Sequence, residues 1–270
     1  MTKASVTILA SIRRVFGFGL ALLLIPNLCT SQENNIPDWG KTAIIASTVP
    51  VSIGIIHVLS MNRNYGIRES SPHWRTRACD AQNFDIAGNA LYCYVLTRNL
   101  RYEYQYAGFS PFAASALAGA NVGLMHAYLK YRESLYWGAE RHDFYGAWAG
   151  ISFAILQGAF PGLERVQYKW LWNSSGTKKF DGPFLENYRA QRFFVAVRLG
   201  DYLFDQKFLQ GFGLTFGGGL QGDGHVRNYF GLDYDIRALL PNFLGESINY
   251  VHIPLPAVYY ENGLRVGLAL

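Results

Sequence analysis

The 270-residue sequence predicts an α+β fold, with an N-terminal membrane-associated helical unit of about four helices followed by an antiparallel β region. Three observations carry this. Charged residues make up only 16% of the chain, against roughly 25% in ordinary soluble domains. Long apolar segments rich in Ala, Gly and Ser fill the first half, a composition that lets helices approach closely in membrane bundles. Past "NSSGTKKFDGP" apolar and polar residues alternate, dense in Phe and Tyr and cut by Gly and Asp turns, which is the period of a strand.

Residues 1–31 read as a secretory signal: a basic flank in "MTKASVTILASIRR", an apolar core in "VFGFGLALLLIP" and a small-residue exit in "LCTSQENN". Cleavage after Ser31 leaves Gln32 as the new terminus; lipidation at Cys29 is disfavoured by the bulky Leu28 before it, and an uncleaved anchor is the alternative. The helical unit is assigned to residues 41–172. It opens with "KTAIIASTVPVSIGIIHVLS", long enough to half-span or span a bilayer. A basic, turn-rich connector carrying Arg63, Arg68, Arg75 and Arg77 suits either solvent or lipid headgroups. Three more apolar stretches follow, beginning at Phe84, Ala107 and His142, and Gly119 and Gly123 form a small-xxx-small contact pair. The β region is assigned to residues 184–270. Four or five strands are too few for a membrane barrel, which needs about eight, so an open sheet packed on the helices or lying at the lipid interface is expected.

The formal charge of +5 suits an anionic partner, but Lys and Arg are scattered singly, which favours an anionic membrane surface over nucleic acid. With Cys29 removed, Cys79 and Cys93 form an even pair in an oxidising compartment and can bridge. The sequence gives no metal-ligand pattern and no cofactor motif, so neither is expected.

Chemistry concentrates in "YRESLYWGAERHDFYGAWAG", Tyr131 to Gly150. His126, Glu133 and Glu140 recur at seven-residue intervals and share one face of a continuous helix, with Lys130 at a four-residue offset. Asp85, Glu133, Asp143, His126 and His142 are the candidate catalytic residues, since buried carboxylates beside an imidazole perturb one another into an acid–base pair. The competing reading places these charges in a turn or in an interhelical polar network of Asp85, Asn89 and Glu133, with Glu140 and His142 at its polar edge. Gly138 offers a helix break before Glu140.

The order of these features resembles the YfiM-like family of predicted envelope lipoproteins, a domain of unknown function, in its longer Bacteroidetes-type form with a strand-rich tail. "FDIAGNALYCY" keeps the family's Asp85 and Gly88 but has Ile86 and Asn89 where Lys and His stand. "KYRESLYWG" keeps Glu133 but has Tyr136 in place of the second acid. Asp143 fills the later acidic position, and His252 to Pro256 match the family's His-Ile-Pro-x-Pro core. The resemblance runs from about Val49 onward and implies an architecture and a compartment, not a reaction. The expectation is an exported, membrane-associated component of a Gram-negative cell envelope, non-enzymatic, with lipid and an envelope assembly as partners. The alternative is a lipid- or cell-wall-modifying enzyme with an intramembrane carboxylate and histidine site.

Overall fold

A computed structural model describes residues 37–63, 70–74, 84–136, 138–172, 190–220, 225–240, 248–260 and 264–268. Its order is helices first and then a six-stranded sheet, the α+β arrangement expected. The signal segment, Cys79 and most of the Arg-rich connector lie outside the described residues.

Helix α1 spans Trp39–Arg63 and α2 spans Phe84–Tyr106. Helix α3, Pro111–Ser134, starts at Ser110, whose hydroxyl accepts a hydrogen bond from the Ala113 amide, with Pro111 in the first turn where its missing N–H costs nothing. Helix α4 runs Arg141–Ala159. The turn between α3 and α4 depends on Gly138, whose φ of 86° is the left-handed conformation that glycine adopts without strain. That break, at the glycine the sequence offered for it, takes Glu140 off the continuous face and leaves it at the N-cap position of α4 with no side-chain capping hydrogen bond.

The helices pack through small residues. A β-carbon at Gly150 of α4 would stand 2.0 Å from the Ala90 carbonyl oxygen of α2, and one at Gly146 would stand 2.4 Å from the Ile86 oxygen. The backbones of α2 and α4 therefore meet with no side chain between them. Gly119 of α3 seats Ile151 and Ile155 of α4, whereas the expected partner Gly123 has only an ordinary contact at 3.9 Å.

Strands β1 (Val166–Trp172), β2 (Gln191–Arg198), β3 (Phe212–Leu220), β4 (Val226–Tyr234), β5 (Pro256–Tyr260) and β6 (Leu264–Leu268) form a sheet in that order, each antiparallel to the next. A one-turn helix, Gly200–Leu203, follows β2 and is labelled α5. Six strands replace the four or five expected, and β1 falls inside the segment assigned to helices. The helical part ends near Ala159 and a 3-10 turn at Pro161–Arg165 leads into the sheet.

The register fixes the sheet's polarity, because directly paired residues project from the same face. Tyr168, Val195, Phe216, Phe230, Val258 and Val266 form one apolar row across all six strands. Helix α2 covers that row only at the β1–β2 end, where the Tyr168 hydroxyl donates to the Ala87 carbonyl at 2.9 Å and Phe84 stacks on Phe193. Farther along it is open to solvent: Phe216 is 60%, Phe230 54% and Val266 78% exposed. Leu214 and Leu232, in the neighbouring row, are exposed as well. The opposite face carries Lys169, Arg192, Phe194, Thr215, Tyr229 and Asp233, all buried. Glycines on β3 leave room for its larger members: a β-carbon at Gly219 would collide with Arg192, and one at Gly217 with Phe194. Small residues beside large ones let the side chains of this face interdigitate without voids.

Candidate functional site

Three polar clusters lie inside this frame. The first is in the helices. Lys130 of α3 is buried, and its ammonium lies 2.7 Å from Glu133 Oε2 and 2.8 Å from Asp143 Oδ2 of α4. Burial alone would pull the Lys130 ammonium down, but Glu133 and Asp143 outweigh it and hold it above its ordinary value. Asn89 of α2 donates to Asp143 Oδ1 at 2.9 Å and to the Asp85 carbonyl oxygen at 3.0 Å. Asn89, Glu133 and Asp143 thus share one network whose centre is Lys130. The Asp85 carboxylate caps its own helix, accepting from the Ile86 amide at 2.9 Å, and joins the network only through its backbone oxygen.

His126 is buried one turn from Lys130, its Nδ1 3.8 Å from Cys93 Sγ and its ring edge-on to Phe144. Burial, reinforced by Lys130, lowers its pKa to about 4, so the ring is neutral at pH 7. Burial pushes the Cys93 thiol up to about 12, which removes its nucleophilic form. His142 is exposed and packs on Tyr145, at the polar edge as expected. Of the five candidate catalytic residues, the structure joins Glu133 and Asp143 through a cation and leaves Asp85 and His142 apart.

The second cluster, inside the sheet, was not singled out from the sequence. Lys169 Nζ lies 2.6 Å from Asp233 Oδ2 and donates to the Tyr234 carbonyl oxygen at 2.9 Å. The other Asp233 oxygen accepts from His252 Nδ1 at 2.8 Å; a carboxylate only accepts, so the proton sits on Nδ1. The His252 ring stacks on Phe194 with centroids 4.1 Å apart. Lys169 and His252 are completely inaccessible to solvent. The available signals were a Lys within the aromatic strand "VQYKWLW" and the His of "HIPLP".

The third cluster runs along the helix–sheet junction. Arg98 and Arg101 of α2 grip Glu164 at 2.6 Å and 2.5 Å. Arg237 reaches Glu164 at 3.9 Å and pairs with Asp235 at 2.5 Å. Asp235 also meets Arg198 at 3.0 Å, Arg198 meets Asp201 at 2.9 Å, and Asp201 meets Arg165 at 3.3 Å. Burial would raise the Asp235 carboxyl, but Arg237, Lys169 and Arg198 outweigh it and hold it below its ordinary value.

Among the described residues, no side-chain hydroxyl or thiol is hydrogen-bonded to Nε2 of His126 or Nε2 of His252, both of which are buried. Among the described residues, no three His, Cys, Asp or Glu side chains converge as metal ligands. No helix among the described residues is long and apolar enough to cross a membrane. Compared with models of known protein families, with curated proteins and with solved structures, the chain matches none.

Proposed function

We propose that this protein is an exported, membrane-associated component of a Gram-negative cell envelope, non-enzymatic, with its apolar sheet face resting in lipid and its buried charge networks fixing the shape of that face. The observation that carries the reading is the inverted sheet: polar and charged side chains point inward while the row from Val195 through Phe216 and Phe230 to Val266 points out. A soluble antiparallel sheet buries its apolar face, whereas lipid-facing strands turn it outward.

The helices support the same reading. Helix α3 exposes Leu117, Leu124 and Tyr131, and α4 exposes Tyr145, Trp148 and Leu156, while His126, Lys130, Asp143 and Gln157 are buried. These exposed apolar rows on the described helices suit contact with a membrane surface.

The test is fractionation of cells producing the full chain, followed by alkaline carbonate washing and N-terminal sequencing of the retained material. Retention in the washed membrane with a start near Gln32 is expected. A chain recovered in the soluble fraction would refute the proposal.

A further inference from the structure

The two ends of the sheet differ. At the β1 end the outer backbone edge is occupied: the Trp170 amide donates to the Tyr250 carbonyl oxygen at 2.7 Å, and the His252 amide donates to the Trp170 carbonyl oxygen at 2.7 Å. At the other end, no described strand pairs with the far side of β6. Its sequence "LRVGL" lacks Pro, Lys and acidic residues, which elsewhere keep an edge from pairing.

The register shows which β6 groups face outward. Pro256 has no N–H, so its pair with Leu268 is a non-hydrogen-bonded one. The two kinds of pair alternate, so Val258–Val266 and Tyr260–Leu264 are of the same kind, and Arg265 and Gly267 are the residues bonded to β5. The N–H and C=O groups of Leu264, Val266 and Leu268 therefore point away from β5. The side chains of these three residues are open too, at 77%, 78% and 51% exposed.

We infer that β6 pairs antiparallel with β6 of a second copy of this chain, across a two-fold axis at Val266. In that register Leu264 meets Leu268 of the partner subunit, Val266 meets its own counterpart, and the outward N–H and C=O groups of all three residues find partners. Arg265 projects from the opposite face and meets Gly267 of the partner subunit, so like charges stay apart. Moving the axis to Arg265 would set two guanidinium groups directly opposite each other, and moving it either way would pair only three residues of each strand. The axis stands perpendicular to the sheet, so both copies turn the apolar row to the same side and Val266 joins the two rows into one. The pairing rests on the strand edge and not on the membrane reading.

The experiment uses purified full-length protein in mild detergent, its mass read by light scattering during gel filtration, together with single cysteine variants oxidised beside the wild type. The wild type should run as two chains. Val266→Lys sets two ammonium groups opposite each other at the axis and should halve that mass at an unchanged unfolding midpoint, because the side chain is exposed. In the hydrogen-bonded pair at the axis the Cα atoms lie about 5.5 Å apart, within disulfide reach, so Val266→Cys should give a linked dimer that the wild type does not. Leu264→Cys, about 14 Å from its counterpart, should not cross-link. The two cysteine variants keep the test decisive if Val266→Lys misfolds. A wild type running as one chain would leave the edge to a strand of another protein and overturn the inference. Cross-linking through position 264 as readily as through 266, or no cross-link at 266, overturns it as well. None of these readouts uses a membrane, so either result leaves the membrane reading standing.

Discussion

At the scale of single residues, Lys130 is the side chain on which the helical network depends. Two carboxylates share its ammonium, so Lys130→Met leaves both without their cation and should destabilise the fold by about 3 kcal/mol. Glu133→Gln should cost less than about 1 kcal/mol, because Lys130 retains Asp143 and the half-exposed amide can still accept. Urea unfolding of the two variants checks the contrast. A catalytic Glu133 would behave oppositely, losing function as Gln at unchanged stability.

Two buried titrating groups predict a compensated pH profile. His126, at about 4 when folded, titrates at 6.5 when exposed, so below that value the unfolded chain takes up a proton that the folded chain refuses. Its contribution is present above about 6.5 and falls by on the order of 3 kcal/mol as pH drops to about 4. Burial pushes Glu103 up from 4.5 to about 7, so the folded chain keeps a proton that the unfolded chain has released. That contribution is present below about 4.5 and is lost as pH rises through about 7. The two slopes oppose each other between about 4.5 and 6.5. Glu103→Gln should therefore convert a nearly flat stability profile into one that rises with pH across that window. Denaturant midpoints measured along it decide the matter, and a profile unchanged by the substitution counts against the assignment.

Seven-residue spacing assigned His126 and Glu133 to one helix face, and the network of Asp85, Asn89 and Glu133 was a separate reading from the cost of an isolated carboxylate among apolar neighbours. Spacing set Lys130 beside that face without making it the centre, because spacing assigns faces and leaves open which charge turns inward. The choice between Asp85 and Asp143 was likewise hidden: both open a helix, and only the close approach of α2 and α4 brings Asn89 to the second.

At the scale of elements, that close approach is the most sensitive contact. Gly150→Ala puts a methyl 2.0 Å from the Ala90 oxygen and forces α2 and α4 apart, which should cost about 3 kcal/mol. Gly162→Ala meets nothing within 4 Å and serves as the neutral control. Thermal melts of the two proteins under identical conditions make the comparison; equal midpoints would mean that the helices do not meet as closely as described. The break at Gly138 was legible, whereas the stretch read from Ala107 onward hid the helix start at Ser110–Pro111. Strand β1 was not legible, since Gln167 and Lys169 occupy its buried positions and the run after Pro161 reads as a tail of the helical unit. Alternation identified β2 and β4 as strands but could not say which face turns inward. Here the polar side is enclosed, because Lys169 and His252 both have Asp233 as a partner and Gln167 pairs with Asn249.

At the scale of the molecule, the two faces of the sheet make opposite predictions about substitution. In a soluble protein an acidic residue at an exposed position is nearly neutral, within about 0.5 kcal/mol. On a lipid-facing surface the same change buries a charge in hydrocarbon or lifts the strand out of it. Phe216 and Phe230 are register partners on β3 and β4, at the centre of the open row. Phe216→Asp with Phe230→Asp should therefore leave the unfolding midpoint in detergent-free buffer almost unchanged while releasing the protein from washed membranes. Thr215 lies one residue from Phe216 on the enclosed face, 1% exposed, its hydroxyl donating to the Val195 carbonyl. Thr215→Asp should lower the midpoint sharply by placing an unpaired charge in that interior. Membrane retention and unfolding midpoint, measured together for both variants, separate the two faces. Equal retention of the Phe216→Asp, Phe230→Asp protein and the wild type would show that the proposed lipid contact does not run through the apolar row.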